Sequence, residues 1–330
     1  MNALRTTTLL TLGLSLGAIP SARAADLYQK AKDIPVGGAA SWDYASVDDV
    51  GRRLYVSHGT EVVVIDIDKD TVVGKIADTP GVHGMAVCPD LKLGVSSNGR
   101  ENKASIIDLT TLATLTKVDT GQNPDGMLYE PNQHEVYLFN GRSASATVID
   151  PKEKKVVATI PLGGKPEFAQ ADPEAGRVYN NLEDKSEVVA IDIKTHAVVN
   201  RWPLAPGVGP SGLAMDRAHH RLFSGCAESK TMVMMDSSNG KVVTTVPIGA
   251  GVDATSFDPE TQLAFASCGQ DGVVTIAHED SPDKLTVVQT LKTEAGARTM
   301  TLDPKTHRIF LAVGQRNVAD SFKVMVFEKK

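Results

Sequence analysis

Cysteine is scarce in this chain of 330 residues, three in all, and none stands in the Cys-x-x-Cys spacing of a haem attachment or zinc site. A glycine-rich phosphate loop and a Gly-x-Ser-x-Gly nucleophile elbow are missing as well. Aromatic residues make up 5%, and Lys plus Arg number 34 against 40 Asp plus Glu, for a formal charge of −6. An acidic field repels a polyanion and few aromatics offer stacking platforms, so nucleic acid is not an expected partner. An apolar run of membrane-spanning length is also absent.

The one apolar run of note, Leu9 to Ile19, follows Arg5 and precedes Ala22-Arg23-Ala24. It is shorter than the about twenty residues of a transmembrane helix and is broken by Thr, Ser and Gly. A basic start, an apolar middle and an A-x-A end make residues 1–24 read as a secretory signal. Its removal takes away two arginines and no acid, moving the formal charge from −6 to −8. The mature chain, 25–330, is expected in the periplasm or outside the cell, as a monomer with no membrane span.

What the chain does have is repetition. Seven segments of roughly forty residues carry the same pattern of short Val/Ile/Tyr/Phe-rich strands bounded by Gly, Pro, Asn or Asp. The clearest copy holds Asp125-Gly-Met-Leu-Tyr, Glu135-Val-Tyr-Leu-Phe-Asn140, Thr147-Val-Ile-Asp150 and Lys155-Val-Val-Ala-Thr-Ile160. Four strands per unit predict an all-β, seven-bladed β-propeller forming a single domain without a linker. Five third strands close on aspartate (Asp66, Asp108, Asp150, Asp192 and Asp236), suited to accept backbone N–H bonds in the next turn. The last copy ends after its third strand, so the segment Leu27 to Gly38 is expected to supply the missing outer strand and cover the open edge.

These repeats, with the tyrosine-bearing second strands Leu54-Tyr55-Val56-Ser57, Val136-Tyr137-Leu138-Phe139-Asn140 and Val178-Tyr179-Asn180-Asn181, resemble the YncE-like family of YVTN-repeat β-propellers across the whole mature chain. The resemblance implies the propeller scaffold; members share that scaffold while their roles diverge, so no single activity comes with it. His58 stands where the first repeat would carry the motif's asparagine, and Cys226 and Cys268 stand at comparable places later.

In a propeller the loops leading into the innermost strands open on one central mouth. Aligned copies put Asp43, His83, Asp125 and Glu167 there, followed by Ser211, Asp253 and Arg298. A second ring is expected from the ends of the second strands: His58, Asn98, Asn140, Asn181, Cys226 and Cys268. Four carboxylates and a histidine around a narrow axis repel one another unless a cation, Arg298 or protons compensate. A divalent metal ion held by Asp43, His83, Asp125, Glu167 and Asp253 is therefore one reading: calcium or manganese if oxygens dominate, zinc or copper if His58, His83 and the cysteines take part. A channel of polar residues bridging water is the other.

Among the cysteines, Cys88 reads as a small buried hydrophobe, while Cys226 and Cys268 on adjacent blades can pair only if their Cα atoms come within about 7 Å. Asn98-Gly99-Arg100 and Asn140-Gly141-Arg142 repeat on neighbouring blades, with Arg316 in the last. They read as turns whose arginines are solvated or clamp an anion. Trp42 reads as a packing residue between blades one and seven. The functional expectation is a scaffold binding a small molecule, an ion or a periplasmic protein through its mouth. A metal-dependent hydrolase or lactonase, with Asp125, Glu167 or Asp253 as ligand or base, is an alternative. So is an accessory of a periplasmic dehydrogenase or metal-trafficking system.

Overall fold

The computed structural model describes residues 26–315 and 317–330 and is all-β apart from one short 3-10 turn, Glu183–Lys185. Residues 1–25, which hold the stretch read as a secretory signal, and Arg316 lie outside the described residues. Seven four-stranded antiparallel sheets follow one another as blades. Their innermost strands are Ala45–Asp48, Val82–Cys88, Pro124–Glu130, Pro166–Asp172, Pro210–Asp216, Val252–Asp258 and Met300–Leu302, for blades one to seven. These pack side by side, blade seven's against blade one's, so the ring closes.

Second and third strands are buried along nearly their whole length, as in Glu135–Asn140 and Ser145–Asp150 of blade three. That is why they read as continuous apolar runs: each blade lies between two others, and both faces of its middle strands face protein. Tyr137 and Phe139 of blade three thus share a core cluster with Val178, Leu182 and Ile191 of blade four. Outer strands such as Thr71–Ile76 face solvent and alternate or lose their apolar residues.

The closing aspartates cap their turns as expected; Asp108 accepts from the N–H groups of Thr110 and Thr111, both at 2.8 Å. Blade six lacks this acid at the equivalent place, His278, and its third strand runs on to Ser281 before returning as Lys284–Lys292. Without an Asx turn to stop it, the hairpin continues.

The outer strand of blade seven is Tyr28–Pro35, paired antiparallel with Lys323–Lys329. Tyr28 and Ile34 anchor it, each 1% exposed. The Tyr28 ring meets Phe265 edge-on at 5.3 Å, and its hydroxyl donates to the His307 carbonyl at 2.7 Å. The Phe265 contact ties the strand to blade six, and the His307 bond ties it to the turn ahead of the second strand of its own blade. No helix among the described residues is long and apolar enough to cross a membrane.

Removing the Tyr28 ring empties a core site and opens the sheet edge. Tyr28→Ala is therefore expected to lower unfolding free energy by about 3 kcal/mol, read from a urea transition, whereas the exposed-strand change Val73→Thr should leave it within about 0.5 kcal/mol.

Candidate functional site

Each inner strand of blades two to six carries a register shift just after its first residue, for example between Pro124 and Met127 and between Val252 and Thr255. The ring residues His83, Asp125, Glu167, Ser211 and Asp253 sit within these irregular stretches, second in their strands. A bulge lifts a side chain out of ladder alternation and re-aims it, here toward the crowded axis. The close approach requires glycine: a Cβ on Gly126 would lie 2.9 Å from the Glu167 carbonyl oxygen, and one on Gly212 would lie 2.4 Å from the Thr255 nitrogen. Asp43 and Arg298 stand just ahead of their strands; the Tyr44 N–H donates to the His83 carbonyl at 2.7 Å, joining blades one and two.

At the mouth the acids are largely answered from within the protein. His83 Nδ1 lies 2.7 Å from Asp43 Oδ2 and 3.4 Å from Asp125 Oδ1. Arg298 donates from Nε to Asp253 Oδ2 at 2.9 Å and reaches Asp43 Oδ1 at 3.5 Å. Ser211 donates to Asp253 Oδ1 at 3.2 Å, and Lys165 binds Glu167 Oε1 at 2.8 Å as well as Glu183. Of the four acids and one histidine expected to share a metal, only Asp43, His83 and Asp125 bring donor atoms within 4.8 Å of one another. Glu167 and Asp253 are engaged by Lys165 and Arg298 instead.

The second ring is placed elsewhere. Asn98 and Asn140 are fully buried between strands; Asn98 Nδ2 donates to Ser105 and Glu101, both at 2.8 Å, and Asn140 Nδ2 to Thr147 at 3.0 Å. They lock the second strand to the third and never reach the mouth. His58 stacks on Phe322 at 4.6 Å, with Nε2 2.7 Å from the Ala39 carbonyl oxygen. Asn181 is one register short of these positions, where Leu182 stands. It instead donates to the Ser211 and Gly212 carbonyls at 3.0 Å, pinning the inner strand of blade five. Cys88, Cys226 and Cys268 are free and buried, and burial pushes Cys226 and Cys268 up to about 11, so none offers a thiolate near neutral pH. Trp42 packs on Phe322 at 5.6 Å, and the Arg298 guanidinium lies over its ring at 5.7 Å.

No family model matches the chain, and no curated protein does. Solved structures do. A chain of the Kuenenia stuttgartiensis hydrazine synthase superposes with a TM-score of 0.73 at 16% identity, covering 93% of this chain and 98% of that one. A chain of the mitotic checkpoint complex superposes with a TM-score of 0.79 at 14% identity, covering 98% and 99%. Likeness at such identities is one of fold: the seven-bladed propeller.

Three residues of the mouth escaped the reading of the repeats. Tyr44 lies below the ring against Phe168, ring centroids 4.6 Å apart; burial, with the charges of Asp125 and Glu167, raises its phenol well above the ordinary value. Lys165 and Asn123 each stand two residues ahead of a ring acid, a spacing that marks them once the bulge is known. Burial opposes the charged His83 ring, but the Asp43 hydrogen bond and the charges of Asp125 and Asp43 outweigh it and push His83 up to about 8. Burial raises Asp125 to about 6 against the pull of His83, and raises Glu167 to about 8 against the Lys165 hydrogen bond.

All three groups therefore hold protons more tightly folded than unfolded. For His83 the gain is complete below the ordinary value of about 6.5 and is lost as pH rises through about 8. The Glu167 gain is complete below its unfolded value and is lost through about 8 as well. Melting temperature is accordingly expected to fall between pH 6 and 9, and Asp43→Asn should return the His83 titration, followed by NMR, toward about 6.5.

Proposed function

We propose that this chain is an exported propeller that binds a small polar ligand, anionic at one end, through its axial mouth. The observation that carries the reading is a cleft of about 500 Å³ whose lining includes Asp43 and His83 together with Arg100, Arg142, Asn102 and Asn123. Arg298 is committed to Asp43 and Asp253, whereas Arg100 and Arg142 have no carboxylate within 4.0 Å among the described residues. Two guanidinium groups on one rim suit a carboxylate or phosphate, which they grip through paired N–H donors. The deeper Asp43–His83–Asp125 cluster suits a hydroxyl or amine on the same molecule. Gly99 supports this arrangement, since a Cβ there would come within 2.6 Å of His83 Nε2 and 3.0 Å of Asn123 Oδ1. Residues 1–24 support export to the periplasm, and the tyrosine-bearing repeats support the YncE-like kinship.

A second reading rests on the convergence of Asp43, His83 and Asp125 within 4.8 Å. One imidazole and two carboxylates fit a divalent ion, which would polarise a substrate carbonyl. The hydrogen bond from His83 to Asp43 competes with that ion for the same nitrogen. Binding ahead of hydrolysis is the reading better supported.

A thermal-shift panel of small carboxylates and phosphate esters tests the first reading. At least one should raise the melting temperature, and replacing both Arg100 and Arg142 by alanine should weaken its binding by tenfold or more, the loss of about 1.5–3 kcal/mol expected for a charge-assisted pair. No stabilising compound, or one indifferent to both arginines, would remove the reading. For the second, metal content of protein purified without chelators is expected to stay well below one ion per chain at the mouth; a near-stoichiometric ion lost on His83→Ala would reverse the order of the two.

A further inference from the structure

A second cluster of titratable groups lies on the face opposite the mouth, at the junction of blades five and six. Asp216 ends the inner strand of blade five, His219 stands in the turn that follows, and Glu279 lies on the extended third strand of blade six. Their donor atoms all fall within 4.8 Å of one another. Asp216 is 1% exposed and the Glu279 side chain 0%, while 41% of the His219 side chain faces solvent.

Glu279 is out of place by the rule of the repeats. Its N–H donates to the carbonyl of Gln262, just ahead of the second strand, as Ile67 does to Arg52, Leu109 to Lys92 and Ile193 to Gly176. Those three equivalents are buried aliphatic side chains, and the one in blade five, Ser237 bonding to the His220 carbonyl, is buried and uncharged. Here a carboxylate takes the position, and neither of its oxygens has a hydrogen-bond partner. A buried carboxyl without a partner is strongly disfavoured, the more so facing a second carboxylate. The counterparts of Asp216 in blades six and seven are answered by neighbours without a second acid: Asp258 by Thr261 and His307, Asp303 by Thr306 and Arg52. Nearby Arg221 is occupied with the carbonyls of Pro282 and His219.

We infer that Asp216, His219 and Glu279 form a binding site for one divalent transition-metal ion, of the zinc or manganese class. Oxygens alone would suit calcium or magnesium; an imidazole with two carboxylates suits zinc or manganese. The spacing is close to what such an ion needs. Donors held about 2.1 Å from a tetrahedral ion stand about 3.4 Å apart, and His219 Nδ1 lies 2.5 Å from Asp216 Oδ2 and 4.0 Å from Glu279 Oε1, on either side of that value. A small turn of the half-exposed imidazole equalises the two. The solvent side of His219 provides the way in and leaves room for water as the remaining ligand. Asp216 is pre-oriented by the Ala218 N–H, which donates to its other oxygen at 3.0 Å.

The test is calorimetric titration of the chelator-treated full chain with zinc and with manganese, using calcium and magnesium as controls. One zinc or manganese ion per chain is expected to bind at this site, retained in His83→Ala and at least tenfold weaker in Glu279→Ile. Without metal, Glu279→Ile should melt no lower than the parent, because isoleucine is what blade one carries there. If that variant does not fold, the near-isosteric Glu279→Gln must show the same loss. Metal binding unchanged by the Glu279 substitutions, binding of calcium in preference to zinc and manganese, or no binding by the parent chain overturns the assignment.

Discussion

A small antiparallel sheet with apolar residues on both faces of its middle strands cannot bury those faces by itself, and each blade here is such a sheet. Its faces can be buried only against the blades on either side, so the ring has to close. Closure is made by chain ends: Tyr28–Pro35 pairs with Lys323–Lys329, and Tyr28 inserts its ring against Phe265 of blade six. The cluster around that ring joins Phe265 and Ile276 of blade six to Ile309, Met325 and Phe327 of blade seven.

Closing seven blades also brings their inner strands to one axis, and the mouth inherits that crowding. Bulges turn the second residue of the inner strands of blades two to six inward, glycines beside them let neighbouring backbones meet, and Asp43, Asp125, Glu167 and Asp253 come near enough to feel one another's charge. Their repulsion is met by partners from successive blades: His83 for Asp43 and Asp125, Arg298 for Asp253 and Asp43, Lys165 for Glu167. This internal balance answers much of the repulsion within the ring, and burial keeps its protons late. Charge on the opposite face is balanced in blades six and seven by the same means, through Thr261 and His307 for Asp258 and Thr306 and Arg52 for Asp303. Glu279 departs from that pattern, with both of its oxygens buried and unpartnered.

Much of the fold was legible in the repeats. Strand boundaries, the aspartate-capped turns and the closing N-terminal strand all follow from local pattern, because each blade uses the same turn chemistry. The ring from Asp43 to Arg298 was legible too, as positions. Less legible was which side chains face the axis. Asn98 and Asn140 look like mouth residues by alignment, yet they sit where second and third strands press together and serve Ser105 and Thr147. The Asn180-Asn181 pair hides a one-residue slip that hands the equivalent place to Leu182. Because side chains alternate along a strand, that single residue decides which neighbour a side chain meets.

The sequence by itself determined the number of blades, their four-strand plan and the identity of the residues around the axis, since these depend on spacing and turn propensity along the chain. Only the tertiary structure decided what those residues do for one another. The pairing of His83 with Asp43 across 40 positions, the capture of Asp253 by Arg298 and the meeting of Asp216 with Glu279 across a blade junction are contacts between segments whose approach is set by ring closure and bulge geometry. Burial at those meeting points, which no local pattern encodes, then sets the protonation and ligand-holding capacity of each group.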